Sequence, residues 1–229
     1  MAARGGDGGR VIVLTLVSVT ALALVLPFGV GARVFRAPSG SMQPAIVPGD
    51  HLVVPKWRYG YGRYSFAPFP SPFTEQRFLG RAPQRGDLAV FRPSPEPNHD
   101  FVKRVVGMPG DRIQMINGVL HINDVAVTLE PLGEVTFADE YGGETSAQAY
   151  RETLPGGVSY VVLDRSMSEL DNTRVFVVPE GQYFMLGDDR DNSADSRVTA
   201  QVGYVPLANF IGPVASVLPT SPLERLSIE

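Results

Sequence analysis

Hydrophobic and polar positions divide this chain into one long apolar run and a succession of short alternating ones. The run, Val11 to Val30, is twenty residues without a charge, enough to cross a hydrocarbon core of about 30 Å as a helix. Val30-Gly31-Ala32 also suits the small-residue site of a cleaved secretory signal, so that reading competes. The run is longer than the usual apolar stretch of such a signal, and Pro27 and Gly29 lie near its end. The expectation is therefore a retained anchor over 11–31 behind a short head, residues 1–10. Arg4 and Arg10 precede the run and Arg33 and Arg36 follow it, close to a tie under the positive-inside rule.

Beyond the run the periodicity is that of strands. "HLVVPK" reads as a short strand with Pro55 at its edge or end. "RGDLAVFRP", "FVKRVVGMPGD" and "RIQMINGVLHIN" follow as strands between turn signals, with Asn117-Gly118 as the hairpin cue between alternating flanks. From Asp124 to Thr173 the pattern is polar, with "VSYVVLD" as its one clear strand. "RVFVVPEGQYFMLG" then gives two strands around a Pro-Glu-Gly turn. Between Trp57 and Phe78 Pro and Gly forbid regular structure, yet the segment carries eight aromatics. It is either a loop folded back over the core or an aromatic belt at a membrane surface. The prediction is a mainly β protein: a transmembrane helix, then an antiparallel β-sheet domain over 34–112 and 179–222, with 113–178 as an inserted smaller β lobe.

Composition narrows the chemistry. Twenty-four glycines and 20 prolines favour a turn-rich β chain over long helices. A net charge of -4 gives no basic footprint for nucleic acid. The absence of cysteine removes disulfides, thiolate metal sites and a Cys nucleophile. Three scattered histidines without HExxH give no support to a metal. Eighteen of the 20 basic residues are arginine, and only Lys56 and Lys103 are lysine. Codon bias accounts for most of such a skew, but an amine that must lose its proton is the role arginine cannot fill.

In "FVKRVV", alternation sets Phe101, Lys103 and Val105 on one face and Val102, Arg104 and Val106 on the other. An amine between Phe and Val is open to desolvation, which lowers its pKa and lets it act as a base. The plainer alternative is a lysine whose stem covers apolar surface while its head reaches water. Lys56, beside Trp57 and Arg58, reads as a solvated charge or an interfacial anchor. In "RAPSGSMQPAIVPGD", Gly40 permits close approach of a substrate backbone, and Pro38 and Pro44 stiffen the turn. Ser41 there offers Oγ and its own N–H, and Ser39 a second donor; read alone, the stretch is better taken as an ordinary Ser-Gly-Ser turn. His99 sits in an exposed, turn-rich setting that argues against a triad. "GDDRDNSADSR" lacks the glycine and glutamate of a calcium loop. Its Asp and Arg residues are expected to pair with each other, with Ser193 orienting a neighbour.

Taken in order, "PSGSMQP…PGD" (38–50), "RGDLAVF" (85–91), "FVKRVVGMPGD" (101–111), "GDDRDNSADSR" (187–197) and "GYVP" (203–206) behind an apolar run resemble the bacterial type I signal peptidases. These are membrane-bound Ser-Lys proteases of the signal peptidase / LexA-like clan. The resemblance implies Ser41 as nucleophile and Lys103 as general base. It implies an oxyanion hole from the Ser39 side chain and the Ser41 N–H, with Ser193 orienting the Lys103 amine. Asp195, Arg197 and Arg104 would form a structural polar cluster behind the dyad. Phe35, Ala37, Met42, Ile46, Leu52, Val90, Phe101 and Val102 would wall a substrate pocket. The implied substrates are preprotein signal peptides cut after small residues of Ala-x-Ala type. The other implied partner is membrane lipid, with no nucleic acid, metal or cofactor, in a monomer. The implied location is the inner (plasma) membrane, single-pass, with the catalytic domain on the extracytoplasmic side.

Three positions depart from the family pattern: Ala45 for threonine, Asp189 in "GDDR" for asparagine, and the longer "VTAQV" link. Rival readings are a specialised pilin- or conjugation-processing peptidase with the same dyad, and an inactive membrane-tethered binding protein on the same fold. A self-cleaving LexA-like repressor would carry a DNA-binding domain in place of the apolar run.

Overall fold

The computed structural model describes residues 31–67, 71–73, 77–94, 98–138 and 143–220. All but the last residue of the expected anchor lies outside them, and no described helix is long and apolar enough to cross a membrane. The chain enters as β1 (Ala32–Arg36) and returns as β2 (His51–Pro55). It continues through β3 (Leu88–Phe91) and β4 (Phe101–Gly107), then the short meander β5 (Arg112–Ile116), β6 (Val119–Ile122) and β7 (Val125–Ala126). Three longer strands follow: β8 (Thr128–Ala138), β9 (Glu144–Thr153) and β10 (Ser159–Asp164). The chain closes with β11 (Phe176–Val177), β12 (Gln182–Leu186), β13 (Val205–Pro206), β14 (Phe210–Pro213) and β15 (Ser216–Leu218).

These strands form four antiparallel sheets, as the alternation predicts. The largest has the order β13-β12-β4-β3-β14, so β4 is its middle strand. Period-2 alternation assigns its side chains to two cores. Val105, Tyr183 and Met185 pack with Phe91 and Phe210 on one face. Val106, Phe184 and Leu186 pack with Ile113, Leu120 and Phe176 on the other. The second face is thus shared with the β11-β5-β6-β7 sheet. Its β5–β6 hairpin turns at Asn117 and Gly118, both with positive φ, the geometry the Asn-Gly pair favours.

β8 and β9 are where the sequence pattern fell short. They pair over most of their length and, with β10, make a separate three-stranded sheet. The buried face of β9 carries Ala147 and Ala149, small side chains that leave little hydrophobic signal. The Pro-Glu-Gly turn also behaves differently from a hairpin. β11 pairs with β5 and β12 with β4, so the turn passes the chain from one sheet to another.

Lys56 is a second difference. It is 1 % exposed, and its Nζ donates to Ser65 O at 2.6 Å with the Phe66 ring 6.0 Å away. The 3-10 turn Lys56–Arg58 directs this side chain under the aromatic loop while Trp57 and Arg58 face outward. Of the loop's aromatics Tyr59 enters the core, and Tyr61, Phe66, Phe73 and Phe78 make a chain of ring contacts.

A buried ionic link ties the β8–β10 sheet to the rest. Glu152 on β9 is fully buried, and its Oε1 accepts from Arg190 Nη2 at 2.6 Å and from the Tyr160 hydroxyl. Arg190 in turn donates Nε to Gly187 O at 3.1 Å. Removing one partner of such a pair strands a charge away from water. We expect Glu152→Ala to lose about 3–5 kcal/mol of stability in urea unfolding of the detergent-solubilised protein. A loss below about 1 kcal/mol would mean that water reaches Arg190 easily.

Candidate active site

Ser41 lies in the turn between β1 and β2, which the backbone closes tightly. Ala37 N–H donates to Asp50 O and Gly49 N–H to Ala37 O, both at 2.8 Å. Gln43 N–H bonds to Gly40 O and Ile46 N–H to Met42 O, so Ala45 sits in a turn held by main-chain bonds. Asp50 braces the far end, its Oδ2 accepting from Val47 N–H at 3.1 Å and its Oδ1 from Thr220 N–H at 3.2 Å. Ser41 emerges 7 % exposed.

Lys103 comes from the middle strand of the main sheet, opposite Ala89 of β3, and is 4 % exposed. Its Nζ lies 2.5 Å from Ser41 Oγ and donates to Val102 O at 3.0 Å, with the Phe101 ring 5.8 Å away. Burial is the largest influence on this amine and disfavours its charged form. Asp195, Asp188 and Asp189 pull its pKa up and Arg197 pushes it down, and desolvation prevails, lowering it from 10.5 to about 8. A lysine near this value is partly neutral at ordinary pH, and its lone pair can take a hydroxyl proton.

The cleft beside the pair has a volume of about 480 Å³. Ser39 lines it, with Oγ 3.4 Å from Ser41 Oγ, and Phe101 and Val102 form wall. The other expected wall residues differ: Ala37, Met42, Ile46, Leu52 and Val90 are at most 2 % exposed and pack together in one core cluster. Phe35 is partly buried against that cluster. These six sit in or against packed core, because β1, β2 and β3 close over them. Sequence reasoning missed Asn192 and Ala194 as lining, and it set His99 aside, although that exposed side chain lies at the same cleft.

Ser193 departs from its expected role. It is buried, but its Oγ has no hydrogen-bond partner, and the amine turns instead to Ser41 and Val102. The hydroxyl lies against Gly187, where an added Cβ would sit 2.2 Å from Ser193 Oγ and 2.7 Å from Ser41 O. Gly187 therefore allows the acidic loop to press against the Ser41 backbone, and Asp189 N–H reaches Ser41 O at 3.2 Å.

The polar cluster is larger than expected. Asp195 and Arg197 pair through Nε at 2.9 Å and Nη2 at 2.8 Å, and Asp195 also accepts from Gly187 N–H at 3.1 Å. Burial pushes the Asp195 carboxyl up, but Arg197 and the amides outweigh it and hold its pKa below the ordinary value. Arg104 does not join that pair. Alternation turns it to the opposite face from Lys103, where it binds Asp188 bidentately at 2.8 and 2.5 Å and lies 3.8 Å above the Tyr160 ring. The unusual Asp189 has its own partner in Arg165, at 2.5 and 3.1 Å. Glu152, Tyr160 and Arg165 lie outside any motif, whereas Asp188 and Arg190 stand in the quoted acidic stretch and were legible there. No group of three metal-binding side chains occurs among the described residues.

Comparison with known proteins gives this arrangement its context. The family model described as "Signal peptidase, peptidase S26" matches residues 10–218. Signal peptidase I of Rickettsia typhi is 42% identical over 188 residues, 78% of this chain and 68% of that protein. The Rickettsia akari protein of the same name is 40% identical over 185 residues, 77% and 67%. A crystal structure of signal peptidase I from Enterococcus faecalis is 28% identical, covers 59% of this chain and 98% of that one, and superposes with a TM-score of 0.36, too loose a fit to add weight. With the family model spanning nearly the whole described fold and relatives matched over two thirds of their length, this chain belongs to the signal peptidase family, peptidase S26.

Proposed function

We propose that Ser41 and Lys103 are the nucleophile and general base with which this serine endopeptidase removes signal peptides from preproteins. The family and its signal peptidase I relatives carry the activity. They do not favour a pilin-processing or an inactive variant. The observation that carries the residue assignment is the 2.5 Å contact between Lys103 Nζ and Ser41 Oγ.

Neutral Lys103 takes the Ser41 hydroxyl proton as Oγ attacks the scissile carbonyl carbon. Negative charge moves to the carbonyl oxygen, toward which the Ser41 N–H and the Ser39 hydroxyl donate. As the C–N bond breaks, the Lys103 ammonium returns its proton to the leaving amine, the new N-terminus of the mature protein. The signal peptide is left as an ester on Ser41. Water, deprotonated by Lys103, then releases the signal peptide and restores the hydroxyl. The cut after small residues belongs to the same proposal, with Phe101 and Val102 as wall of the cleft beside Ser41. Ser193, close to the Ser41 carbonyl through Gly187, serves in this reading to seat the acidic loop. The apolar run 11–30 holds the enzyme in a membrane with its catalytic β domain on the extracytoplasmic face, and 113–178 forms an inserted lobe.

Two outcomes test this reading. Detergent-solubilised protein should cleave a preprotein with an Ala-x-Ala site, and Ser41→Ala and Lys103→Arg should each lower kcat by about a thousandfold. Full activity in Lys103→Arg would sink the neutral-amine assignment, since guanidinium stays charged. The second outcome concerns pH. Because burial lowers the amine's pKa to about 8, the active, deprotonated form grows as pH rises. The kcat/KM profile should therefore climb through about 8 and level above it. A profile flat from pH 6 to 9 would exclude Lys103 as the titrating base. The linked stability has the same sign: the folded amine holds its proton less tightly than the unfolded one, so stability declines as pH falls from 10.5 toward about 8.

A further inference from the structure

Of the acids that favour the charged form of Lys103, Asp195, Asp188 and Asp189, the last departs from the family pattern, which more commonly has asparagine there. The exchange adds a negative charge beside the dyad. Asp189 is fully buried, and its own N–H donates to Ser41 O at 3.2 Å. The added carboxylate thus belongs to a residue that touches the nucleophile's backbone. A charge held away from water acts over longer distances than one in solvent. Left without a partner, it would help the Lys103 ammonium keep its proton.

A counter-charge reaches Asp189 from outside the quoted motifs. Arg165, the residue after β10, binds it bidentately, Nη2 to Oδ2 at 2.5 Å and Nε to Oδ1 at 3.1 Å. Backbone pairing brings the two together. Leu163 N–H donates to Asp188 O at 2.8 Å, Arg190 N–H donates to Leu163 O at 2.9 Å, and Leu163 bridges Asp189 in parallel. The main chain beyond the bridge is also held, because Asp191 Oδ2 accepts from Arg165 N–H at 2.7 Å and from Ser166 N–H at 3.2 Å. The guanidinium carbon lies 5.4 Å from the Phe137 ring of β8. Carboxylate, ring and fixed backbone set the planar fork in one orientation.

The remaining charged and polar neighbours are few. Asp189 has Arg165, a side-chain hydrogen bond with Asn192, and the Asp191 carboxylate. Burial pushes its carboxyl up, Arg165 pulls it down, and the bidentate contact favours the ionised form. Lys103 has Asp195, Asp188, Arg197 and Asp189, with His99 and Asp100 lining the same cleft. Asp188, Asp195 and Asp100 already have arginine partners in Arg104, Arg197 and Arg92.

We propose that Arg165 is a positioning residue for the Ser41–Lys103 pair: it cancels the charge that Asp189 adds beside the dyad and so keeps the amine ready to accept a proton. This role rests on Lys103 as the general base and deepens that assignment. It makes a residue of the β8–β10 sheet, outside the substrate cleft, part of what sets the working pH range of the enzyme.

Profiles of kcat/KM against pH, recorded on the detergent-solubilised protein with a peptide bearing an Ala-x-Ala site, test the proposal. Arg165→Gln leaves the Asp189 charge uncompensated, so the climb centred near 8 in the parent should move to higher pH by about half a unit or more. Asp189→Asn removes the acid and leaves the guanidinium, so the climb should move to lower pH by a similar amount. The double variant Asp189→Asn/Arg165→Gln, without either charge, should return close to the parent midpoint. Arg165→Lys, which keeps the positive charge, should do the same. An unmoved midpoint in both single variants, whatever happens to kcat, would make the pair a structural brace and overturn the proposal. Shifts of the same sign in the two would overturn it as well. Should Arg165→Gln fail to fold, Asp189→Asn decides alone. Its amide has the shape of the carboxylate, and the Arg165 side chain, 22 % exposed, can turn to water. An unmoved midpoint in that variant overturns the proposal. A parent profile flat from pH 6 to 9 removes Lys103 as base and this role with it, whereas a climbing parent with unmoved variants removes the role of Arg165 alone.

Discussion

The burial of one amine governs the arrangement around it. Lys103 stands on the middle strand of the largest sheet, enclosed by both neighbours and capped by the Ser41 turn. Water is the solvent that would keep it charged, and the sheet removes it. The acids nearby would undo this effect if they were free. Instead each is tied to a guanidinium: Asp195 to Arg197, Asp188 to Arg104, and Asp189 to Arg165. The field at Nζ is thus a difference between paired charges, and desolvation decides the outcome. This gives the acidic loop and its arginine partners a structural part around the amine. They supply rigid polar scaffolding, and its pull on the Lys103 amine is outweighed by desolvation.

The same pairs are mechanical. Arg104 bridges β4 to the acidic loop, and Glu152 bridges that loop to the β8–β10 sheet. The loop in turn touches the Ser41 carbonyl through Asp189 N–H. The Ser41 turn, the strand that carries Lys103 and the three-stranded sheet therefore meet at one segment, 187–197. Buried ion pairs contribute modestly to net stability, but their loss is costly and their geometry is narrow. That favours a single position for the serine over a loosely held one.

How much of this was readable in the sequence depends on the signal each part leaves. Strands rich in Val, Ile and Phe, such as β4 and β12, and the Asn117-Gly118 turn announce themselves. Proline, glycine and a rare lysine drew attention to Ser41 and Lys103, but read alone these suited an ordinary turn and a plain lysine, and only the ordered motifs joined them. β8 and β9 were not legible: the inward positions of β9 include Ala147 and Ala149, and in β8 the inward Leu129, Leu132, Val135 and Phe137 lose strict alternation around Pro131 and Gly133. Lys56 was misread for a tertiary reason: only the fold reveals that a 3-10 turn carries it inward to a carbonyl. Arg104 was grouped with Asp195 and Arg197 without a named partner, and alternation, which separates it from Lys103, leads it to Asp188. The unpartnered hydroxyl of Ser193 and the closed packing around Met42 and Ile46 depend on how segments distant in the chain come together, which no local residue pattern encodes.

The brace on the Ser41 turn has a consequence in time. Asp50 accepts from Thr220, a partner 170 positions along the chain, and β2, which carries the turn's far end, is completed as a sheet by β15. Lys103 and the acidic loop also follow the serine by long stretches of synthesis. A growing chain on the ribosome exposes Ser41 early, yet lacks the partners that shape its turn. The last supports arrive only with residues near 220. Order of synthesis thus acts as a built-in delay, since the brace on the Ser41 turn waits for residues as far along as Thr220.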